Sequence, residues 1–380
     1  MKKIICGLSF LLTLFIFSGC ESNSVGPDPN QIEFPTSFEN MERDIVYVAD
    51  SLITRLRRNN QVTTYPFVNL QNTVRNFILA PNGRFAYFLD QSLVINSTGR
   101  IVRLDLNNGA FNFVSDREFS TFGLIGNNLI TFTDPTVNCP DTPVTFRAYT
   151  FLNVLGGNVV QLCDAYLGFL TFTELPSIHT YSINQIQVDG NDLIARIFWT
   201  NTSLNENPNT LMDVRFVFSE NRLVPVQADT VARTSHSGPT SPSGRYMVTF
   251  RNNSLWLIDF QNNTEVKIVD TFSNPAVTFL DNETKIAFIL TRDNVTAGNP
   301  SRGLFLYNIN NGLIRDVLPQ ARVVNSFNFS PSSNQVVLSG IIPEIHPTNN
   351  QIFVIHADGT KPAMISNIQK QNVSPRFVSN

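Results

Sequence analysis

The amino-acid sequence predicts an all-β protein built from repeated four-stranded antiparallel units, and two observations lead to this prediction. A tight polar turn followed by a strongly apolar segment recurs along the chain. A second polar turn, often Asn-Gly or Asp-Gly, then separates two further apolar segments. Asn-Gly and Asp-Gly pairs adopt the positive φ angles that short hairpin turns need. Each unit therefore has four strands, which we call a, b, c and d in chain order.

The turns between strands a and b set the spacing of the repeat. The clearest copies lie at 80–88, 241–248, 281–289 and 330–338. With two weaker copies included, the turns recur roughly every 50 residues, which is a spacing typical of repeat folds. They fall near Asn82, Asn127, Gly190, Ser243, Asn282 and Ser332.

The two ends of the chain each hold part of one further unit. Residues 373–380 read as a strand a that matches 275–282, and no strand b follows it. Residues 44–49, 51–57 and 62–66 read as the missing strands b, c and d. If these segments form one sheet together, the open edge that a row of repeated sheets would expose is removed.

Six internal units and one composite unit predict a closed seven-bladed β-propeller with four-stranded antiparallel blades. Propellers of this kind have four to eight blades. Six or eight blades remain possible here, because the units at 117–167 and 168–230 are poor copies of the repeat.

Composition agrees with a large packed domain. The chain has 380 residues, of which 42% are apolar and 15% are charged, so it can bury a core and is not disordered as a whole. The formal net charge is −3 and no basic block occurs, which argues against a nucleic-acid partner. The 31 Phe residues fit packing between flat sheets.

The N-terminal segment reads as an export signal. Lys2 and Lys3 precede an apolar run over 4–17, and small residues come just before Cys20. An uncleaved anchor helix is the alternative, but the run is shorter than the stretch of about 20 apolar residues that spans a bilayer. The polar segment that follows reads as a flexible tether. We therefore predict a signal peptide at 1–19, a tether at 20–38 and the propeller at 39–380.

The residues before Cys20 resemble the lipobox of bacterial lipoproteins. The resemblance implies cleavage before Cys20, lipidation of that cysteine and attachment to a lipid membrane through the acyl anchor. In that family an Asp after the cysteine retains the protein in the inner membrane, whereas this chain has Glu21. The resemblance therefore implies an outer-membrane lipoprotein, whose body faces either the periplasm or the outside.

The repeats at 241–248 and 353–362 resemble those of TolB-type propellers, in which a Ser-Pro-Asp-Gly turn leads an apolar strand. The resemblance covers about 70–116 and 235–380 and is poor between them. Family members bind other envelope proteins on the propeller surface or act as gates for hydrolase domains. The repeat pattern is structural, so it implies a fold and little chemistry. No Gly-x-Ser-x-Gly motif with a βα pattern marks a hydrolase domain here.

The longest predicted loops connect strands b and c, and all of them lie on one rim of the predicted propeller. Binding residues often sit on long loops that a rigid scaffold positions. We therefore predict the binding surface at this rim, with Arg292, Asp293, Glu344 and His346 as candidates. The loops span 134–144, 200–210, 292–303 and 340–350.

The remaining chemistry-bearing residues give weaker signals. Cys139 and Cys163 map to the same rim of one blade, and an even pair in an oxidising compartment predicts a disulfide. His236 is a candidate for the wall of the central channel. No pair of His or Cys has metal-ligand spacing, so we predict no metal, no cofactor and no catalytic residue.

Together these observations predict a membrane-anchored envelope protein that acts as a binding or scaffold module, with another envelope protein or a small ligand as partner. An alternative is a propeller enzyme that acts on a carbohydrate or a lactone at the channel mouth. A third possibility is a purely structural surface lipoprotein.

Overall fold

The structure is a computed structural model. The chain divides into two units, residues 1–33 and 34–380, and the first lies outside the part that the structure describes. The described residues are 34–50, 52–65, 73–91, 98–120, 122–125, 129–134, 148–153, 159–163, 179–189, 192–201, 209–219, 222–234, 236, 238–280, 283–292, 301–366 and 369–378.

All regular structure within these ranges is β, in 27 strands that form six sheets. The largest sheet has eight strands, in two antiparallel groups that are joined by one parallel pair, Arg302 opposite Val323. We describe these two groups as separate sets, which gives seven antiparallel sets in all. Set 1 has the order β27 (Asn372–Phe377), β1 (Ile45–Ala49), β2 (Leu52–Leu56) and β3 (Val62–Tyr65). Set 2 has β4 (Thr73–Leu79), β5 (Phe85–Gln91), β6 (Gly99–Asp105) and β7 (Phe111–Phe119). Set 3 has β8 (Gly123–Ile125), β9 (Leu129–Asp134), β10 (Ala148–Asn153) and β11 (Val159–Cys163).

The other four sets follow in chain order. Set 4 has β12 (His179–Asp189), β13 (Asp192–Asn201), β14 (Asn209–Ser219) and β15 (Arg222–Thr234). Set 5 has β16 (Tyr246–Arg251), β17 (Ser254–Asp259) and β18 (Thr264–Asp270), with Thr240 bridged to Met247 in the place of strand a. Set 6 has β19 (Val277–Leu280), β20 (Lys285–Thr291), β21 (Arg302–Asn308) and β22 (Ile314–Asp316). Set 7 has β23 (Val323–Phe329), β24 (Gln335–Ile341), β25 (Gln351–His356) and β26 (Ala363–Met364).

Three of the predicted a–b turns, those near Asn82, Ser243 and Ser332, lie within the described residues and are confirmed as turns. In set 5, the Ser241 hydroxyl accepts the Tyr246 N–H, and the N–H of Gly244 donates to the Ser241 carbonyl. Gly244 has φ +78°, and a Cβ there would lie 2.6 Å from Val231. Both its backbone conformation and its surroundings therefore require glycine.

Neighbouring sheets pack face to face along the chain. Successive side chains of a strand point to opposite faces, and β20 shows the result. Ile286 and Phe288 share an apolar cluster with Val248 of set 5, whereas Ala287 packs with Val336 of set 7. Four-stranded antiparallel sheets that stack in chain order are typical of β-propellers.

The first and last described strands lie in the same sheet. β27 pairs antiparallel with β1, with Phe377 opposite Ile45 and Arg376 opposite Val46. β1 therefore has β27 on one side and β2 on the other.

The folded unit includes residues that the sequence assigns to the tether. The ring of Phe34 lies 5.3 Å from that of Phe353, and Phe38 is 6% exposed in a cluster with Ile45 and Phe377. The composition of 20–38 is polar overall and therefore predicts a tether, but these two aromatic side chains bury apolar area against sets 7 and 1. The described part of the predicted tether, 34–38, therefore packs on the domain.

Candidate functional site

The predicted b–c rim is described in one complete loop, 340–350. The Nδ1 atom of His346 accepts the N–H groups of Thr348 and Asn349, at 3.3 and 2.9 Å. Glu344 is exposed in the same loop. His346 therefore holds the conformation of this loop, and Glu344 faces solvent.

Arg292 also makes its hydrogen bonds within the protein. Its Nε atom lies 2.7 Å from a carboxylate oxygen of Asp316, and its Nη2 atom donates to the other oxygen and to the Leu318 carbonyl. Its Nη1 atom donates to Ser301 and to the Ala321 carbonyl. The guanidinium thus connects the end of β20 to β22 and to residues 318–321, which follow β22. Asp293 lies outside the described residues.

His236 follows β15 and lies outside any strand. Its Nε2 atom is 2.6 Å from Nη1 of Arg251 and 3.6 Å from the carboxylate of Glu265. The Arg251 guanidinium in turn lies 4.6 Å from the centre of the Trp256 ring. The structure therefore places His236 against the sheet of set 5, and its position on a channel wall stays a prediction.

The cysteine predictions are not tested by the described residues. Cys20 and Cys139 lie outside them. Cys163 is the last residue of β11, opposite Ala148. Lipidation of Cys20 and the Cys139–Cys163 disulfide therefore stay predictions.

The larger cavity lies at the opposite end of the sheets, beside the a–b turns. It has a volume of about 650 Å³. Phe279 of β19 and Phe329 of β23 line it, and so do turn residues of sets 5, 6 and 7. The described residues that line it are Pro242, Ser243, Thr278, Phe279, Leu280, Glu283, Phe327, Asn328, Phe329, Ser330 and Ser333. Rigid strand ends and tight turns therefore form its wall.

A second cavity of about 420 Å³ adjoins the first, and the two share Asn328 and Phe329. Its wall brings together strands β4, β23 and β27, which are the first strands of sets 2, 7 and 1. Its lining within the described part of the chain is Ile78, Leu79, Asn328, Phe329, Pro331, Arg376 and Phe377. The two cavities together thus collect the first strands of sets 6, 7, 1 and 2.

Asn328 and Arg376 bring polar groups to this site. Asn328 accepts the N–H of Phe377 through its side-chain oxygen at 2.8 Å, which orients its NH₂ group away from that bond. The Nη1 atom of Arg376 donates to the carbonyls of Pro375 and, at 3.4 Å, Phe327. Burial lowers the pKa of Arg376, but an arginine still carries its charge at neutral pH.

This site was not predicted from the sequence, because the length of the b–c loops favoured a binding surface at the other end of the sheets. Strand b runs from the a–b turn to the b–c loop, so the two lie at opposite ends of each antiparallel sheet. One sequence feature could have indicated the site. The match between 373–380 and 275–282 makes Arg376 and Thr278 equivalent positions on strand a.

Two searches of the described residues give negative results. Within those ranges, no group of three or more His, Cys, Asp or Glu side chains could hold a metal ion. In the same part of the chain, no helix has the length and hydropathy needed to cross a membrane.

No protein-family model and no curated protein matches the sequence. Among solved structures, the chain is similar to the β-propeller domain of the Trilobed protease from Pyrococcus furiosus, with 10% identity, 89% of this chain and 97% of that chain covered, and a TM-score of 0.47. It is also similar to TolB from Acinetobacter baumannii, with 12% identity, 88% of this chain covered and a TM-score of 0.46. The match spans 66%, just under two thirds, of that TolB chain.

A third similar structure is an oligogalacturonate lyase in complex with manganese, with 10% identity, 85% of this chain and 83% of that chain covered, and a TM-score of 0.44. All three TM-scores are below 0.5.

Proposed function

We propose that this protein is a lipid-anchored β-propeller of the bacterial cell envelope and acts as a binding module. It binds a partner protein or a small ligand at the two adjoining cavities beside the a–b turns. The observation that carries this proposal is that first strands of four consecutive sets line the two cavities. Their volumes, about 650 and 420 Å³, are in the range of ligand sites.

The proposal includes a closed ring of seven blades. The described strands form six sheets, of which the eight-stranded one divides into two antiparallel groups, and this arrangement supports seven blades. The pairing of β27 with β1 supports closure by the two ends of the chain. In such a ring the first strand of every blade lies next to the axis. The cavities then mark one mouth of the central channel.

The membrane anchor is supported by the N-terminal sequence. The basic start, the apolar run and the small residues before Cys20 are those of a lipoprotein signal. Glu21 favours sorting to the outer membrane. The anchor would keep the binding module at the envelope, where a membrane-bound partner is also concentrated.

Binding rather than catalysis is favoured by the cavity lining. Among the described residues that line the two cavities, Glu283 is the one acidic residue, and it accepts hydrogen bonds from the N–H and hydroxyl of Ser243. General acid–base chemistry needs a titratable group within reach of the substrate. The described lining instead offers aromatic rings and hydrogen-bond donors.

Site-specific photocrosslinking in cells tests which end of the sheets binds the partner. A photoreactive amino acid replaces Phe279 at the cavities in one strain and exposed Glu344 on the b–c loop in the other. We expect an adduct of defined mass from position 279 and none from position 344. Adducts formed from position 344 alone would overturn the proposal in favour of the b–c rim.

A further inference from the structure

Three hydrogen-bond donors occupy one register position on the first strands of neighbouring sets. Thr278 lies on β19, Asn328 on β23 and Arg376 on β27. Their partners on the adjacent b strands are, in the same order, Ala287, Val337 and Val46. These partners are equivalent, because each packs toward the following set along the chain.

The three side chains meet at the two cavities. Thr278 and Asn328 line the larger cavity, and Asn328 and Arg376 line the smaller one. The equivalent residue of set 2 is Ile78, which also lines the smaller cavity and has no polar group. A hydroxyl, an amide and a guanidinium therefore follow one another along one wall.

Each of these three side chains has a donor group that makes no hydrogen bond within the described chain. Within the described chain, the hydroxyl of Thr278, the NH₂ group of Asn328 and the Nε and Nη2 atoms of Arg376 have no hydrogen-bond partner. Asn328 uses its oxygen for the Phe377 N–H, and Arg376 uses only Nη1, for two carbonyls. Donors of this kind, a guanidinium above all, recognise carboxylates.

The charge of Arg376 is not neutralised by the protein in the described part of the chain. Its side chain is partly buried, and no described residue that lines its cavity carries a carboxylate. Glu283 lines the larger cavity and not the one that Arg376 lines, and Ser243 already binds its carboxylate. A charge that is partly removed from water is stabilised by an opposite charge, which an anionic ligand would supply here.

We propose that Thr278, Asn328 and Arg376 bind a carboxylate of the ligand, whose apolar body packs on Phe279 and Phe329. This proposal rests on the proposed function and names the ligand class of the same cavities. The two phenylalanine rings offer apolar surface on which such a body can pack.

Calorimetry on the purified full chain tests the proposal. The two probes are 3-phenylpropionate and its neutral amide, 3-phenylpropanamide. We expect the carboxylate to bind about tenfold or more tightly than the amide, since hydrogen bonds to a charged group contribute that much. Arg376→Gln should remove most of this preference, and Arg376→Lys should keep part of it. Thr278→Val, at an exposed position, should reduce it with little risk to folding.

Asn328→Asp gives a sharper variant. The new carboxylate still accepts the Phe377 N–H but repels the anion, so the preference for the carboxylate probe should fall below that of the native chain. The matched control is Arg302→Gln, which removes an exposed arginine at the start of β21 and should leave both affinities unchanged. Thermal unfolding of every variant shows that it is folded.

The outcomes separate the two proposals. Equal binding of carboxylate and amide by the native chain, or an unchanged preference in folded Arg376→Gln, overturns the carboxylate site and leaves the binding function standing. Binding of neither probe at millimolar concentration also overturns the carboxylate site, whereas failure of the binding function would show as the absence of crosslinked adducts from position 279. Tighter binding of glucuronate than of 3-phenylpropionate overturns the apolar body.

Discussion

Ser243 donates both its backbone N–H and its hydroxyl to the carboxylate of Glu283, which lies 40 residues further along the chain. The bond joins the a–b turn of set 5 to that of set 6. The hydroxyl of Ser332 in set 7 makes the equivalent bond to Glu42, before β1 of set 1. Neighbouring sheets are therefore linked at this end by a repeated Ser–Glu contact.

Removal of the Ser–Glu contacts should destabilise the domain modestly. Glu283→Ala and Glu42→Ala should each lower the free energy of unfolding by about 1 kcal/mol, because each loses hydrogen bonds to an ionised group at a partly exposed site. The double variant should show the sum, since the two pairs share no partner. Urea unfolding measures this. Glu344→Ala, on the exposed loop, is the control, and an equal loss there would contradict the interpretation.

The pair Arg245–Asp259 makes the domain sensitive to acid. The Arg245 guanidinium, together with the N–H groups of Asn262 and Gln261, holds the pKa of Asp259 below its ordinary value of about 4. A carboxylate with a lowered folded-state pKa stabilises the fold above its unfolded-state pKa, and this stabilisation is lost as the pH falls through the folded-state value.

The pH dependence of Asp259→Asn should show this directly. The variant should be less stable than the native chain at pH 7, and the difference should shrink as the pH falls below about 4. Unfolding midpoints measured from pH 7 to pH 2 give the two curves. A difference that stays constant over this range would show that the charge of Asp259 has no part in stability.

Phe38 should contribute as much to the stability of the domain as a residue of the main core. It is 6% exposed and packs with Met41 and Val354, so Phe38→Ala should cost about 3–5 kcal/mol. Leu313→Ala, at a side chain that is 67% exposed, should cost almost nothing. Equal unfolding midpoints for the native chain and Phe38→Ala would mean that 34–38 behaves as a tether after all.

Gly303 makes room for the Arg292 guanidinium. A Cβ at this position would lie 2.7 Å from Nε of Arg292, which Asp316 holds in place at 2.7 Å. Gly303→Ala should therefore cost about 1–3 kcal/mol by overpacking. In an Arg292→Met background the same change should cost less, because the obstructing group is gone. An identical cost in both backgrounds, measured by urea unfolding, would place the clash elsewhere.

Cys20→Ala should release the protein from the membrane, because the acyl chains would have no attachment site. Fractionation of cells that express the native chain and the variant measures the change. Cys163→Ala serves as the control for loss of a cysteine and should stay in the membrane fraction. Retention of Cys20→Ala in that fraction would refute the lipoprotein assignment.

The strands could be predicted from the sequence because each turn carries its own signal. Ser241-Pro242-Ser243-Gly244 forms a turn through contacts within a few residues, and the apolar strand follows directly. The b, c and d strands predicted before residue 67 are confirmed as β-strands, and so is the strand a predicted at 373–380 from its match to 275–282, which is observed as Asn372–Phe377.

The candidate site could not be predicted because it depends on contacts between distant strands. Glu344 and His346 were predicted as binding residues because their loop is long. Loop length carries no information on which of the a strands line a cavity. Arg376 and Asn328 come together through the bond between Asn328 and the Phe377 N–H, across 49 residues of sequence. Phe34 was missed for a similar reason, since its partner Phe353 is far along the chain.

The pairing of β1 with β27 also has a consequence for the order of events during synthesis. The Gln371 N–H donates to the carboxylate of Asp50, 321 residues earlier. β1 is thus synthesised long before its partner strand exists, and until then one edge of its sheet is unpaired. Such a distant pairing closes slowly, so a chaperone that covers the waiting edge would protect the chain from aggregation at this stage.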